Sequence, residues 1–264
     1  MLKCKLKQIV KIIWGANGMN EILKQIKSRK SMRVFENRPI EVELKKEILN
    51  AAFEAPTAGG MMFYSILDIT DSKLKEKLSV ECDNQPFISK SPLVLIFLAD
   101  YQRWYDAFDS VHCNPRTPGE GDIILSCADA IIAAQNTVVA AESLGIGSCY
   151  IGDIIENCEI IRGLLDLPDY VLPAAMVVYG YPVESQKNRK KPVRFEEQYI
   201  VHENKYCRLT NEEHIEMHKT RNEKSGFPNK NISEDIKALC TRKYMSDFSL
   251  EMNRSVSEYL KKFR

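Results

Sequence analysis

The chain has 264 residues, of which 44% are hydrophobic and 28% are charged, so it is long enough to bury a sizeable core as one large domain or two small ones. Its 37 Lys and Arg residues nearly balance its 36 Asp and Glu residues, which leaves a formal net charge of +1. This near neutrality argues against a protein that attracts nucleic acid or an anionic membrane through its overall charge, so any anion site must be local.

The eight cysteines are scattered along the chain, and no pair has the C-x-x-C spacing of zinc ribbons and redox dithiols. We expect reduced thiols and, without a cleavable signal, a cytoplasmic protein. Residues 1–18 are basic and then partly apolar, but Lys11 interrupts the apolar run and no small-residue cleavage site follows. We interpret residues 1–18 as an appended leader or disordered extension and Met19 as the more natural start of the main domain.

The predicted elements alternate in type along the chain. Apolar residues at helical spacing over 41–55 predict a helix, which Pro56 and the following glycine pair end. Short apolar runs at 65–69 and 92–100 predict strands. The second run is apolar almost throughout, so it is expected to be a central strand that is buried on both faces.

The long segment 123–144 is apolar or small on nearly all faces, which is the pattern of a fully buried helix. Asp129 and other acidic or amide side chains interrupt it, so it lacks the ~20 uninterrupted apolar residues of a membrane span. A helix within 154–167 then separates two further predicted strands, at 147–152 and 173–182.

The composition changes from Leu209 onward, where charge rises and apolar residues thin out. Helical stretches in this tail are joined by a polar segment that contains Gly and Pro. We therefore divide the chain into the leader 1–18, a main domain 19–206 and a helical C-terminal extension 207–264.

Two short basic clusters stand out in this nearly neutral chain. They are "SRKSMRVF" at 28–35 and "KNRKKPVRF" at 187–195. Guanidinium groups pair bidentately with phosphate oxygens, and a hydroxyl or backbone N–H can complete such a site. Taken singly, each cluster is more often a solvated helix end or loop, and cations are also favoured in a last helical turn.

Four segments in a fixed order decide between these interpretations. R-K-S-x-R at 29–33 is followed by "APTAGGMM" at 55–62, "LGIGSCYIGD" at 144–153 and K-P-x-R at 191–194. This order resembles the FMN-dependent nitroreductase family, and most closely its NAD(P)H-dependent oxygen-insensitive nitroreductases and flavin reductases. The resemblance runs over 22–206, so the domain 19–206 is expected to bind FMN.

The resemblance implies an α+β fold with a mixed β-sheet flanked by helices, a long buried central helix and a homodimer with FMN at its interface. It also implies a ping-pong oxidoreductase that takes a hydride from NAD(P)H and reduces small aromatic acceptors such as nitroaromatics, quinones or flavins. FMN supplies the redox chemistry in such enzymes, so no side chain is named as catalytic.

The resemblance assigns cofactor-binding roles by segment. The first segment surrounds the FMN phosphate and the pyrimidine side of the ring, the second contacts the isoalloxazine, the third faces its N5 and O4 edge, and the last binds phosphate. Arg33 is expected to stabilise negative charge near N1 and O2. The implied cofactor-binding residues are Arg29, Lys30, Ser31, Arg33, Thr57, Ala58, Gly59, Gln85, Tyr150, Ile151, Gly152, Asp153, Lys191 and Arg194.

The sequence departs from the family pattern at three positions. Gly60 and Met62 stand where many members carry asparagine and glutamine, and neither side chain forms the hydrogen bonds of those amides. The cavity beside the flavin is therefore expected to be wider and more apolar, unless backbone groups take over. Val193 is inserted before Arg194, which makes the reach of Arg194 less certain than that of Lys191.

Other motifs point to weaker alternatives. His214 and His218 have a spacing that can bind a metal, but no third ligand is evident, so a solvated helix face is the preferred interpretation. "GIGSCYIG" lacks the G-x-G-x-x-G spacing of a dinucleotide-binding loop. Cys149, beside the expected flavin edge, is interpreted as a buried and inert thiol.

Two other functions stay open at this point. One is a flavin-binding module that holds FMN without turnover. The other is a nucleic-acid or membrane-surface protein that uses the leader and the basic loops, against which the near-zero net charge argues.

Overall fold

The computed structural model describes residues 20–264. Residues 20–189 together with Arg254–Arg264 form one compact unit, and Lys190–Asn253 form a second. The predicted leader 1–18 lies outside the described residues. The predicted division of the chain at residue 206 stays a prediction.

The first unit contains the sheet and most of the helices. Its strands are β1 (Tyr64–Asp68), β2 (Leu93–Asp100), β3 (Gly147–Ile151) and β4 (Val171–Gly180), and its helices are α1 (Glu21–Ser28), α2 (Val42–Phe53), α3 (Ser72–Glu81), α4 (Gln102–Ser110), α5 (Glu120–Ser143), α6 (Cys158–Leu165) and α7 (Glu184–Lys187). The second unit contains α8 (Asn211–Lys224) and α9 (Ile232–Leu239), while α10 (Asp247–Leu260) begins in the second unit and ends in the first.

The four strands form one sheet in the order β1-β2-β4-β3. The predicted α+β class, with a helix-flanked sheet and a long central helix, is confirmed. Every strand pairing among residues 20–264 is antiparallel, which corrects the expected mixed sheet. Each of the four predicted strands is present.

Strand β2 is buried at all eight positions, as its continuous apolar run predicts. Leu95 and Phe97 on one face pack in a core with the alanines of α5, whereas Val94 and Ile96 on the other face pack in a second core. Because alternate residues of a strand point to opposite faces, the sheet is covered on both sides.

Helix α5 is only half buried, which corrects the expectation of full burial. Its alanines face the sheet, but Ile124 is 71% exposed and Leu125, Ile131 and Ile132 are exposed as well. By length and composition α5 would suffice to cross a membrane, yet 44% of its apolar 18-residue stretch is buried inside the protein. The exposed residues form a continuous apolar stripe on the opposite face from the sheet.

The first basic cluster runs across the end of the sheet. The Met32 N–H donates to the Ser148 carbonyl at 2.9 Å, and Phe35 bridges to Pro182. Beneath this segment Gly147 and Gly180 are register partners on β3 and β4. A methyl group at Gly147 would meet Met32, and one at Gly180 would come within 2.7 Å of the Phe35 ring.

The second unit has its own small polar core. His218 is buried on α8 and packs edge-on against Phe195, and the Arg221 guanidinium lies over the same ring at 4.7 Å. The expected solvated face for both histidines is therefore wrong for His218, although His214 is exposed. Among residues 20–264 no group of three or more His, Cys, Asp or Glu could hold a metal ion.

The close approach at Gly180 generates a stability prediction. We expect Gly180→Ala to lower the free energy of unfolding by about 1–3 kcal/mol, because the added methyl overlaps the base of the Phe35 ring, which cannot swing away without moving the segment. Urea denaturation measures this loss. Gly163→Ala in α6 is the control, because its methyl meets nothing and helix propensity favours alanine. Equal stability of Gly180→Ala and wild type would contradict the close packing of Phe35 against Gly180.

Candidate functional site

The start of the second basic cluster meets the first. The Lys30 ammonium donates to the carbonyl oxygens of Lys187 at 2.6 Å and Arg189 at 2.5 Å, and the Arg189 guanidinium donates to the Ser31 carbonyl. The Arg33 N–H donates to the side-chain oxygen of Gln186 at 3.2 Å. Backbone acceptors thus hold two like-charged segments together.

Three guanidinium groups lie close enough to Cys149 of β3 to act electrostatically on its thiol. Burial raises the pKa of the Cys149 thiol, and the positive charges of Arg33, Arg29 and Arg189 oppose that rise. The nearby Ser31 hydroxyl opposes the rise of this pKa as well. We call Arg29, Arg33 and Arg189 the arginine cluster. Cys149 is 1% exposed, which confirms the predicted burial.

The arginine cluster has unused binding capacity. The Arg29 Nε is buried and has no hydrogen-bond partner. Among the ion pairs of residues 20–264, none joins a carboxylate to a member of the cluster. Uncompensated cations and a buried orphan donor are the features of an anion site.

Lys30 has a different part in this arrangement from the one expected. Two of its three N–H donors are taken by backbone carbonyls, so at most one remains for a ligand. Its main contribution is to hold the second basic segment in place. The Ser31 hydroxyl and the arginine cluster lie near the same thiol, that of Cys149.

A buried carboxylate holds the segment after α2 from one side. Asp129 of α5 is 3% exposed and accepts hydrogen bonds from the Thr57 hydroxyl, from the Ala58 N–H at 3.2 Å and from the Phe63 N–H at 3.2 Å. The Thr57 hydroxyl oxygen in turn accepts from the Met62 N–H at 2.8 Å. One acidic side chain therefore fixes both ends of the 57–63 loop.

Helix α4 holds the same loop from the other side. The Trp104 indole N–H donates to the Met61 carbonyl at 2.6 Å, and the Arg103 guanidinium donates to the Met62 carbonyl. Within the loop Gly59, Gly60 and Met62 have φ of 59°, 71° and 50°. Positive φ is unfavourable for methionine, and such strain persists only where surrounding contacts over-determine the conformation.

The third segment lies at the end of β3. Ile151 is buried, Tyr150 is half-buried with its pKa raised by burial to about 12, and Gly152 is exposed with open space around it. The Gln85 amide donates to the Cys82 carbonyl and to Asp153 Oδ2, each at 2.8 Å. Two predicted site residues, Gln85 and Asp153, are thereby brought together.

Lys191 and Arg194 belong to the second unit, Lys190–Asn253. Lys191 is half-buried and Arg194 is exposed. Their assignment to the same phosphate site stays a prediction.

Comparison with known proteins decides the family. A family model described as "Nitroreductase family" matches residues 26–181, which is more than half of the chain. The chain belongs to the nitroreductase family. An NADPH-dependent oxidoreductase of Staphylococcus aureus is 31% identical over 183 residues, covering 69% of this chain and 72% of that protein.

Solved structures agree with this assignment. NfrA2 of B. megaterium has a TM-score of 0.76 at 28% identity, covering 91% of this chain and 98% of its own. Nitroreductase A of Vibrio parahaemolyticus has a TM-score of 0.78 at 26% identity, covering 93% and 98%. Nitroreductases use FMN, so this family member is an FMN-dependent oxidoreductase with NAD(P)H as co-substrate.

The residues present fit FMN. The arginine cluster suits a phosphate group, because it combines three cations with a buried donor that has no partner. The 57–63 loop and the end of β3 are fixed by hydrogen bonds within the protein, as a surface that orients a flavin requires.

Sequence reasoning did not single out two residues of this candidate site, Arg189 and Asp129. Arg189 was part of the second basic cluster, but the family motif drew attention to Lys191 and Arg194 instead. Asp129 was seen only as an interruption of an apolar helix. A lone acid on the sheet-facing side of such a helix must find donors, and that was the available indication of its role.

The role of Asp129 leads to a prediction. Asp129→Asn should lower the free energy of unfolding by about 1–3 kcal/mol, because an amide keeps one acceptor and turns an N–H₂ toward the loop donors. FMN affinity should fall as well, because the 57–63 loop loses its anchor. Urea denaturation and flavin fluorescence titration measure the two effects.

Asp109→Asn is the matched control, because Asp109 is an exposed acid on α4. If Asp129→Asn matches wild type in both measurements, the loop holds its conformation without the carboxylate.

Proposed function

We propose that this family member oxidises NAD(P)H and reduces nitroaromatic, quinone or flavin acceptors by a ping-pong mechanism. Bound FMN supplies the two-electron transfer. The observation that carries the proposal is the arginine cluster beside β3, which has no carboxylate partner among residues 20–264 and includes a buried Arg29 Nε without an acceptor. The protein itself binds and orients the FMN and excludes water from it.

The arginine cluster would hold the FMN phosphate. Arg29 offers a buried Nε without a partner, and the backbone that carries Arg33 is fixed by Gln186. Lys191 and Arg194 are proposed as a further phosphate-binding pair. Arg33 is proposed to offset negative charge at the pyrimidine side of the flavin.

The 57–63 loop is proposed to shape the acceptor cavity. Gly60 carries no side chain and has open space around it, whereas Met62 packs partly against the core. A cavity that lacks the two amides of other members should favour flat aromatic acceptors over small polar ones.

The enzymatic proposal predicts a defined cofactor and its reduction. Flavin released by denaturation should be FMN, and NADPH should bleach the flavin absorbance of the intact protein under anaerobic conditions, with an added quinone restoring the colour. Chromatography and stopped-flow absorbance measure these results. Recovery of FAD would overturn the cofactor assignment, and bound FMN that NADH and NADPH both leave oxidised would indicate a flavin-binding module without turnover.

The arginine cluster makes a second prediction. Arg29→Ala should weaken FMN binding by about 1.5–3 kcal/mol per lost charge-assisted contact, with the fold unchanged. Fluorescence titration of the apoprotein with FMN measures this loss. Arg242→Ala removes an exposed arginine of the second unit and should have no effect, and neither should a change at His214. Equal FMN affinity of Arg29→Ala and wild type would make the first basic cluster an ordinary solvated helix end.

The exposed stripe of α5 supports the proposed homodimer with FMN at its interface. Four large apolar residues on one helix face, next to an apolar groove of about 640 Å³ that Ile124 and Ile131 help to line, are typical of a surface that a partner covers. A second copy of the chain is the partner that family membership favours. The free cysteines among residues 20–264 agree with the proposed cytoplasmic location.

The dimer proposal predicts that Ile131→Glu produces a monomer with weakened FMN retention, because a charge would be buried at the interface without a partner. Sedimentation equilibrium and flavin content measure both effects. Ile160→Glu, at a 48% exposed isoleucine of α6, is the control and should remain dimeric. A monomeric wild type, or an Ile131→Glu protein that sediments as wild type does, would contradict the proposal.

A further inference from the structure

A small pocket next to the arginine cluster has a different lining from the rest of the site. Its volume is about 230 Å³, and its walls are Arg33, Val34, Phe35, Pro86, Phe87 and Lys90. We call it the aromatic pocket. It combines two cations with two phenyl rings and contains no acidic side chain in its lining.

Neither cation of the aromatic pocket is paired with a carboxylate in the part of the chain that the structure describes. Among residues 20–264 neither Lys90 nor Arg33 forms an ion pair, and the Arg33 hydrogen bond uses its backbone rather than its guanidinium. Two uncompensated cations facing one concavity favour an anionic ligand.

The walls of the pocket are held rigidly. The Phe35 ring packs directly against Gly180, which fixes its position. On the other side the Ser91 hydroxyl donates to the Phe87 carbonyl at 2.6 Å, and the Ser89 hydroxyl donates to the Pro86 carbonyl at 3.0 Å. Preformed walls reduce the entropy that a ligand must lose on binding.

The size of the pocket limits the ligand. Drug-sized ligands occupy sites of about 300–1,000 Å³, so about 230 Å³ suits a single substituted ring rather than a nucleotide. Phenyl walls favour a planar aromatic ring, and paired cations favour a carboxylate.

We propose that the aromatic pocket binds a planar aromatic carboxylate, with the carboxylate paired to Lys90, the ring against Phe35 and Phe87, and Arg33 shared with the proposed flavin site. This inference rests on the proposed function in one respect, the position of the flavin site next to the pocket. Because Arg33 also belongs to the arginine cluster, a bound ring lies next to the proposed flavin site and is expected to be an anionic acceptor. Lys90 then determines a preference for acidic over neutral acceptors.

The test uses the FMN-loaded protein and two probes, 4-nitrobenzoate and its neutral methyl ester. Isothermal titration without NADPH measures binding in wild type, Lys90→Gln and Lys77→Gln. Lys77 is an exposed lysine of α3 outside the pocket, so its variant removes the same charge elsewhere. We expect Lys90→Gln to weaken 4-nitrobenzoate binding about tenfold, as the loss of one charge-assisted contact implies, while Lys77→Gln and wild type bind it equally and the ester binds all three proteins alike.

Steady-state kinetics then separate an acceptor site from a nucleotide site. With NADPH, kcat/KM for 4-nitrobenzoate should fall in Lys90→Gln while the KM for NADPH is unchanged. Equal 4-nitrobenzoate affinity in Lys90→Gln and wild type, or an equal loss for acid and ester, would overturn the proposal. So would a raised KM for NADPH with unchanged acceptor kinetics, which would assign the pocket to the nucleotide. Failure of NADPH to bleach the flavin would count against the proposed function alone, since the binding experiment needs no turnover.

Discussion

The Lys30 ammonium holds together two basic segments that are 157 residues apart in sequence, by donating to the backbone carbonyls of Lys187 and Arg189. Without such a tie, the like charges of these segments would favour separation. The tie uses carbonyl groups rather than carboxylates, so it positions the arginine cluster without neutralising it. The cluster is therefore assembled by the fold but left electrostatically incomplete.

An incomplete cation cluster connects ligand binding with stability. An anion that binds only the folded protein stabilises it according to its concentration relative to its Kd. The segment that carries Arg29 and Arg33 also packs on the glycine pair of β3 and β4, so its position depends on backbone contacts that are already formed. Binding energy from the phosphate is then available for holding the ring in place rather than for ordering the segment.

The 57–63 loop is held in a strained conformation by hydrogen bonds on two sides. Its positive φ angles cost conformational energy, and the structure offsets this cost with Asp129 on one side and α4 on the other. Asp129 thus accepts hydrogen bonds from N–H groups of the loop, and α4 donates hydrogen bonds to its carbonyl groups. A loop held in this way presents an unchanging backbone surface, which suits a cofactor that must be oriented for hydride transfer.

Much of this arrangement was predictable from residues, and the rest depended on tertiary contacts. The continuous apolar run of β2 and the helical period of α2 identified those elements directly, because burial imposes the pattern. The exposed stripe of α5 was not predictable, because the sequence pattern of an apolar helix is the same whether the sheet or a partner covers its residues. Arg189 and Asp129 were missed because their importance comes from partners more than 60 residues away, to which no local pattern refers.

The central claim is that the converging arginines form a site built around a phosphate. The most direct test compares the affinities of FMN and riboflavin, which share the same ring and differ in the phosphate, for the apoprotein and for an Arg29→Ala, Arg189→Ala double variant. Two charge-assisted contacts imply that wild type binds FMN about 100-fold or more tightly than riboflavin, and that this ratio collapses toward unity in the double variant. Equal binding of FMN and riboflavin by wild type, or a ratio that survives in the double variant, would contradict the claim.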